Sequence, residues 1–231
     1  MEIKKNGKII VIEGTDSSGK ETQSNIIFEK LKERNLNVRK ISFPNYESPA
    51  CTPVKMYLAG EFGEDPVKIN PYPISTMYAI DRYASFKQDW ENFYNDGGII
   101  ITDRYTTSNM VHQASKIEVY NEKLEYLNWL EDLEYDKIKI PRPDVVIFLN
   151  MPTEFAIKLM ESRKNKITGE MKKDIHEKNH EYLKKSHDNA REVAKLQNWV
   201  EVMCVEKDRI KTIEEIGEEV FNIVMRVIEE N

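Results

Sequence analysis

KIIVIEGTDSSGKETQ, residues 8–23, decides the reading of this chain. It opens on an apolar, β-branched run from Ile9 to Ile12, short enough for a buried strand. It ends in the segment Lys20–Arg34, where Ile27 and Leu31 stand four apart with charged residues between them, the spacing of a helix. Between the two lies GTDSSGKET (14–22). Strand, glycine loop and helix are the setting of a phosphate-binding loop, G-x-x-x-x-G-K-[ST]. Gly14, Gly19 and Lys20 meet that pattern, but Glu21 takes the place of the hydroxyl that reaches a magnesium ion, and Thr22 arrives one residue late. The glycines let the turn tighten so that N–H groups point at phosphate oxygens, and the helix N-terminus adds positive partial charge. Lys20 is placed to reach the outer phosphates. An ordinary glycine-containing turn is the competing reading, and the strand before the loop with Lys20 behind Gly19 argues against it.

Outward from this loop the chain alternates. VRKISF (38–43) reads as a second strand ended by Pro44, and roughly 73–95 as one long helix leading to Gly97 and Gly98. GIIIT (98–102) reads as a third strand, 107–137 as a helical region, and DVVIFLN (144–150) as a fourth strand ended by Pro152. A helix then runs to about Arg163. Lys164–Lys173, polar, basic and containing Gly169, reads as a mobile loop, followed by a charged helix over 174–196. WVEVMCV (199–205) reads as a fifth strand, and 212–229 as an amphipathic helix. The pattern predicts an α/β fold: a five-stranded parallel sheet with helices on both faces. In such sheets ligands bind beyond the carboxyl ends of the strands, so the residues just after each strand are the ones to inspect.

Composition narrows the function. The 231 residues suffice for one large domain or two small ones. A net charge of -6 argues against a duplex-binding surface, which needs a basic excess, but leaves room for a small anion in a locally basic cleft. Two cysteines, Cys51 and Cys204, make no disulfide framework and point to a reducing compartment. The apolar run near the N-terminus is too short for a signal peptide or a membrane span, so a cytoplasmic protein is expected.

Three further groups of residues carry chemistry. The third strand closes on Asp103, followed by Arg104 and Tyr105; next to a phosphate loop such a carboxylate suits magnesium, and alone it suits a helix N-cap. Tyr78 and Arg82 are four apart on a predicted helix, with Phe86 a turn beyond. They fit either a base-stacking ring with a phosphate-gripping guanidinium, or core packing with a surface ion pair. The charged stretch 161–188 reads as a solvated helix face or as a basic lid. Its His176, His180 and His187 match no zinc motif and are read as surface residues.

Together these pieces resemble the thymidylate kinases, members of the P-loop nucleoside monophosphate kinases. The resemblance runs through EGTDSSGKETQ (13–23), FPNY (43–46), YAIDR (78–82), DRYTTSNMVHQ (103–113) and IPRPDVVIFLN (140–150), in the family's order. It implies one domain over 1–231 with a lid at about 163–174, and ATP-dependent phosphorylation of dTMP to dTDP with Mg2+. It also implies a homodimer formed through helices. By the resemblance, Gly14, Thr15, Ser17, Ser18, Gly19, Lys20, Glu21 and Thr22 hold the ATP phosphates. Asp16 takes the deoxyribose 3′-hydroxyl, Phe43 and Tyr78 meet the acceptor base, and Ser108 and Gln113 face the thymine edge. Arg82 and Arg104 grip the acceptor phosphate, Asp103 positions the metal, and Arg163 reaches the transferring phosphate or the adenine. Lys20, Asp103, Arg104 and Arg163 form the catalytic set.

The chain departs from the family pattern in four places. They are Glu21, Tyr46 where many members carry an arginine, Ser17 where some carry one in the loop, and the length of 116–139. That last stretch is read either as a cover for the base pocket or as part of a dimer interface. The lid offers Lys164, Lys166, Lys172 and Lys173 but no arginine after Arg163, and a lysine lacks the bidentate fork. Two other functions stay open: a kinase for another monophosphate such as dUMP, and a nucleotide-binding regulatory module without turnover.

Overall fold

The computed structural model describes residues 7–164 and 180–229, with side chains placed for 7–160 and 181–229. Strands and helices follow in the order β1 Lys8–Glu13, α1 Lys20–Glu33, β2 Val38–Ser42, α2 Thr52–Leu58, α3 Pro71–Ser85, α4 Glu91–Asn95 and β3 Ile99–Asp103. Then come α5 Thr106–His112, α6 Tyr120–Glu131, β4 Val145–Asn150, α7 Thr153–Lys164, α8 His180–Leu196 and β5 Val200–Met203. A two-stranded ladder, β6 Val205–Glu206 with β7 Arg209–Ile210, precedes α9 Ile213–Glu229.

β1 to β5 form one parallel sheet in the order β2-β3-β1-β4-β5. β1 lies in the middle, and side chains alternate between its faces with the period of two that a strand imposes. Ile10 and Ile12 face one core with Ile101, Ile147, Leu149, Ile27 of α1 and Val220 of α9. Ile9 and Val11 face the other, with Ile100, Phe86, Trp90 and Tyr105. All four β1 residues are fully buried, which explains their continuous apolar run. Register matters for the site: Ile12 pairs with Asp103 and Glu13 with Phe148, while Ser42 pairs with Asp103 on the other side. The carboxyl ends of β1, β2 and β3 therefore finish together, and the loops after them meet.

Several boundaries differ from the expectations. The helix expected over 73–95 is interrupted by a π-helical turn, Phe86–Trp90, between α3 and α4. The wider turn puts Phe86 and the fully buried Trp90 into one core with their rings 4.6 Å apart. A second π-turn, Asp132–Lys137, extends α6. The fifth strand stops at Met203, and the chain turns back through Lys207 and Asp208. Both carry positive φ, 50° and 63°, as a type I′ hairpin requires, but Lys-Asp is not the Asn-Gly pair that would announce one. The lid expected at 163–174 begins in the last turn of α7; its residues 165–174, and the side chains of Arg163 and Lys164, lie outside the described residues. So do His176 and the side chain of His180. His187 is buried, not at the surface, and its Nε2 lies 2.8 Å from Asn150 Oδ1.

Candidate active site

The loop after β1 has the shape its sequence requires. Ser17 and Gly19 both take positive φ, 61° and 92°, and Gly19 caps α1. Gly14 cannot be replaced: an added Cβ would lie 2.5 Å from Ser18 Oγ and 3.0 Å from the Leu149 carbonyl oxygen. Thr15 and Ser18 are buried within the turn, and Ser18 N–H donates to the Thr15 carbonyl at 3.2 Å. Lys20 is also buried, its ammonium donating to the same Thr15 carbonyl at 2.7 Å. Burial pulls its pKa down to about 8; the nearby Arg104 adds to this, and Asp16, Asp103 and Glu13 work against it.

Glu21 is exposed in the first turn of α1 and is not among the leading charges acting on Lys20. Thr22 is half-buried. An acidic residue at a helix N-terminus is favoured by the helix dipole, so Glu21 has a structural reason to be there.

Arg104 follows β3 in a left-handed conformation, φ 70°, which turns its side chain back over the loop. One Nη forms an ion pair with Asp16, and the other lies 3.1 Å from His112 Nε2. Burial alone would lower its pKa, but Asp16, Glu13 and Asp103 outweigh burial and hold it above the ordinary value. Asp103 is half-buried, and its Oδ1 has no hydrogen-bond partner among the described residues; the same holds for Ser18 Oγ. Two polar atoms buried without partners beside a phosphate loop suit groups supplied by a ligand. Among the described residues no three His, Cys, Asp or Glu side chains gather as a metal cluster. Magnesium needs no such cluster, since it binds through one or two carboxylates with substrate phosphates and water. Asp103 fits that requirement.

Beside the loop opens a cleft lined by Asp16, Phe43, Tyr78, Arg82, Arg104 and Gln113 among others. Phe43 is buried and packs 6.0 Å from Tyr105, while Tyr78 meets Tyr57 edge-on at 6.5 Å. Gln113 is 1% exposed, its Nε2 donates weakly to Tyr57 Oη at 3.5 Å, and its Oε1 has no hydrogen-bond partner among the described residues. Ser108 lines the cleft too, but its hydroxyl proton goes to Glu13 Oε2 at 2.8 Å, so toward a ligand it acts as an acceptor.

Arg82 lines the same cleft as Arg104 but has a different partner. It is 1% exposed, and its Nε and Nη2 pair with the two oxygens of Glu134 at 2.6 and 2.5 Å. Burial presses its pKa down, but Glu134 outweighs burial and raises it. Glu134, Tyr105 and Tyr135 are the leading charges acting on it, and it lines the cleft together with Asp16 and Arg104.

Sequence reading missed four residues here. Glu13 is fully buried at the end of β1, accepting from Gly14 N–H and from the hydroxyls of Thr107 and Ser108. It ties the phosphate loop to α5, and its position as the last strand residue was the available signal. Asn109 and His112 line the cleft one turn of α5 apart. Glu134 had no signal: it sits in an acidic stretch that looks solvated.

A thymidylate kinase family model matches residues 12–216. The thymidylate kinase of Plasmodium falciparum is 27% identical over 224 residues, 97% of this chain and 92% of that protein. The thymidylate kinase of Caldicellulosiruptor saccharolyticus is 27% identical over 218 residues, 94% of this chain and 96% of that protein. The solved thymidylate kinase from Candida albicans has the same fold: TM-score 0.69, 22% identity, 96% of this chain and 92% of that one covered. The matched span takes in the phosphate loop, the cleft and the whole parallel sheet beyond its first strand residues. The chain belongs to the thymidylate kinase family.

Proposed function

We propose a division of labour among the residues of this kinase, whose reaction is ATP-dependent phosphorylation of dTMP to dTDP. The observation that carries it is that Arg104, Asp16 and Asp103 all act electrostatically on Lys20, while Asp16 and Arg104 also line the cleft. An oxygen of the acceptor phosphate attacks the γ-phosphorus of ATP in line, the bond to the β–γ bridging oxygen breaks, and ADP leaves with that electron pair. The acceptor oxygen is anionic at neutral pH, so no general base is needed. The chain's task is to hold two anionic phosphate groups together.

Lys20 and the amides of residues 14–22 take the ATP phosphates. Arg104 takes the acceptor phosphate, and Asp16 takes the 3′-hydroxyl once substrate parts their ion pair. Phe43 and Tyr78 bracket the base, and the unpartnered Gln113 Oε1 accepts from a base N–H. Arg82 is reassigned from the phosphate to the base. Its charge is already balanced by Glu134, so a second anion beside that carboxylate would be repelled, whereas a neutral carbonyl oxygen suits its free N–H groups. Asp103 would hold magnesium, which would supply further charge neutralisation. Arg163 keeps its proposed role at the transferring phosphate or the adenine.

We treat 1–231 as one domain, because the parallel sheet draws strands from Lys8 to Met203. A homodimer is proposed from the family and from Ile80 and Tyr83, large apolar residues 48% and 41% exposed and three apart on α3. A cytoplasmic setting is proposed from two free, buried thiols. Among the described residues no helix is long and apolar enough to cross a membrane.

The test is ADP release with ATP and magnesium, offering dTMP, dUMP, dCMP, dGMP and UMP in parallel. Turnover with dTMP far above the others is expected. Preferred turnover of another monophosphate would overturn the reading of the base pocket, and no turnover with any acceptor would favour the regulatory module.

A further inference from the structure

The segment 116–139 offered two readings, and the structure gives it an intramolecular role. Tyr126, Leu127 and Leu130 of α6 are buried against Met110, Ala114 and Val193. Tyr126 Oη lies 2.6 Å from Ser75 Oγ of α3. Beyond α6, the π-turn Asp132–Lys137 does something costly. It leaves Leu133 half-buried and buries Glu134 completely. A buried carboxylate survives only where its oxygens are satisfied.

Both oxygens of Glu134 are. Oε1 accepts from Arg82 Nη2 at 2.5 Å, and Oε2 accepts from Arg82 Nε at 2.6 Å and from Thr106 Oγ1 at 2.9 Å. Arg82 Nη1 donates to the Tyr105 carbonyl at 3.3 Å. A guanidinium has five N–H donors. These contacts occupy one on each nitrogen and leave one on Nη1 and one on Nη2. Arg82 lines the acceptor cleft, and those two N–H groups are what it offers there. A long arginine side chain facing a cleft would ordinarily sample several rotamers. Two parallel bonds to one carboxylate reduce it to one.

We propose that Glu134 is a positioning residue of the acceptor site: it clamps Arg82 from behind, so that the free N–H groups form a fixed fork for a carbonyl oxygen of the nucleotide base. The clamp also keeps the fork electrically balanced and so selects a neutral acceptor over a phosphate. Thr106, at the start of α5, fixes Glu134 in turn. The proposal rests on the assignment of Arg82 to the base.

The test is a double-mutant cycle read in the ADP-release assay with separate KM values for dTMP and ATP. Arg82→Met tests the underlying assignment, and Glu134→Gln tests the clamp while conserving shape. Each is expected to raise the KM for dTMP about ten-fold, the loss expected when a buried charge pair is disturbed, with the KM for ATP within about two-fold. In the Arg82→Met background Glu134→Gln should have no further effect on the KM for dTMP, because the clamp then holds nothing. Thr106→Val is the milder probe should Glu134→Gln fail to fold, and an increase of about three-fold is expected of it. If Arg82→Met leaves the KM for dTMP unchanged, the assignment fails and the clamp with it. If Arg82→Met raises it but Glu134→Gln and Thr106→Val do not, the clamp alone is overturned. Additive effects of Arg82→Met and Glu134→Gln, or equal increases in both KM values, would mean a general structural role and also overturn it.

Discussion

Lys20→Met should destroy the activity and strengthen the fold. Lys20 is 6% exposed, and its pKa falls from 10.5 to about 8, with burial as the main cause. At pH 7 the ammonium is held protonated at a cost of about 3 kcal/mol, at ~1.4 kcal/mol per unit. Methionine fills similar space without charge. Its drawback is the Thr15 carbonyl, which loses the 2.7 Å donor, worth about 1 kcal/mol. The balance is a gain of about 2 kcal/mol, or roughly 4–8 °C in melting temperature for a chain of this size.

The sign with pH follows from the direction of the shift. The folded protein releases this proton more readily than the unfolded one, so the penalty is fully present below pH 8 and is relieved between pH 8 and 10.5. At pH 10 it has fallen to about 1 kcal/mol or less, and the advantage of the variant should vanish. Thermal unfolding of ligand-free protein at pH 7 and pH 10 reads both arms. A variant that melts below wild type at pH 7, or whose gain is undiminished at pH 10, would refute the reasoning. Adding ATP supplies an internal check: it should raise the melting temperature of wild type much more than that of Lys20→Met, since the cation proposed to meet the phosphates is gone.

Arg104→Lys should raise the KM for dTMP by about ten-fold or more and leave that for ATP nearly unchanged, because a lysine cannot span Asp16 and His112 as the guanidinium does; equal effects on both substrates would count against its place on the acceptor side. Glu21→Ser restores the usual hydroxyl and should change kcat by no more than about three-fold, since Glu21 is exposed; a titration of activity against magnesium checks this, and a change of a hundred-fold would place Glu21 at the metal. Lys116, whose ammonium meets only Tyr57 Oη and the Ile69 carbonyl among its hydrogen bonds, is lowered by burial to about 7. Lys116→Met should therefore flatten the rise of stability from pH 7 upward, a window that opens one unit below that of Lys20; an unchanged slope between pH 7 and 8 would exclude it.

Much of this molecule is readable in one dimension because its three central strands, β1, β3 and β4, are buried on both faces. Ile9 to Ile12 and Val145 to Leu149 read as strands for the same reason that they form the sheet: each side chain has an apolar core to enter. The phosphate loop is readable because backbone geometry demands it. Gly14 has no room for a Cβ and Gly19 needs a positive φ, so both requirements are written as glycine. The two π-turns left no such mark. A helix widens by one residue wherever packing favours it, and FKQDW and DLEYDK look like ordinary helix.

The same limit hid the pairing of Arg82 with Glu134. Four residues from Tyr78 on a helix, it reads as a cation on the ring's face of the site, and an isolated cation near a phosphate loop is naturally assigned to phosphate. Its chemistry is decided by Glu134, 52 residues away, which enters the interior only because a π-turn aims it there. Whether an arginine serves an anion or a neutral oxygen depends on whether its charge is already spent, and that is a property of the pair. Arg104 differs by the same criterion. Its partner Asp16 is half-buried at the mouth of the cleft, where substrate can compete for the pairing, while Glu134 is sealed behind the wall. One arginine is thus held by an exchangeable partner and the other by a permanent one, and this difference is the ground for proposing the first for the reacting phosphate and the second for the base.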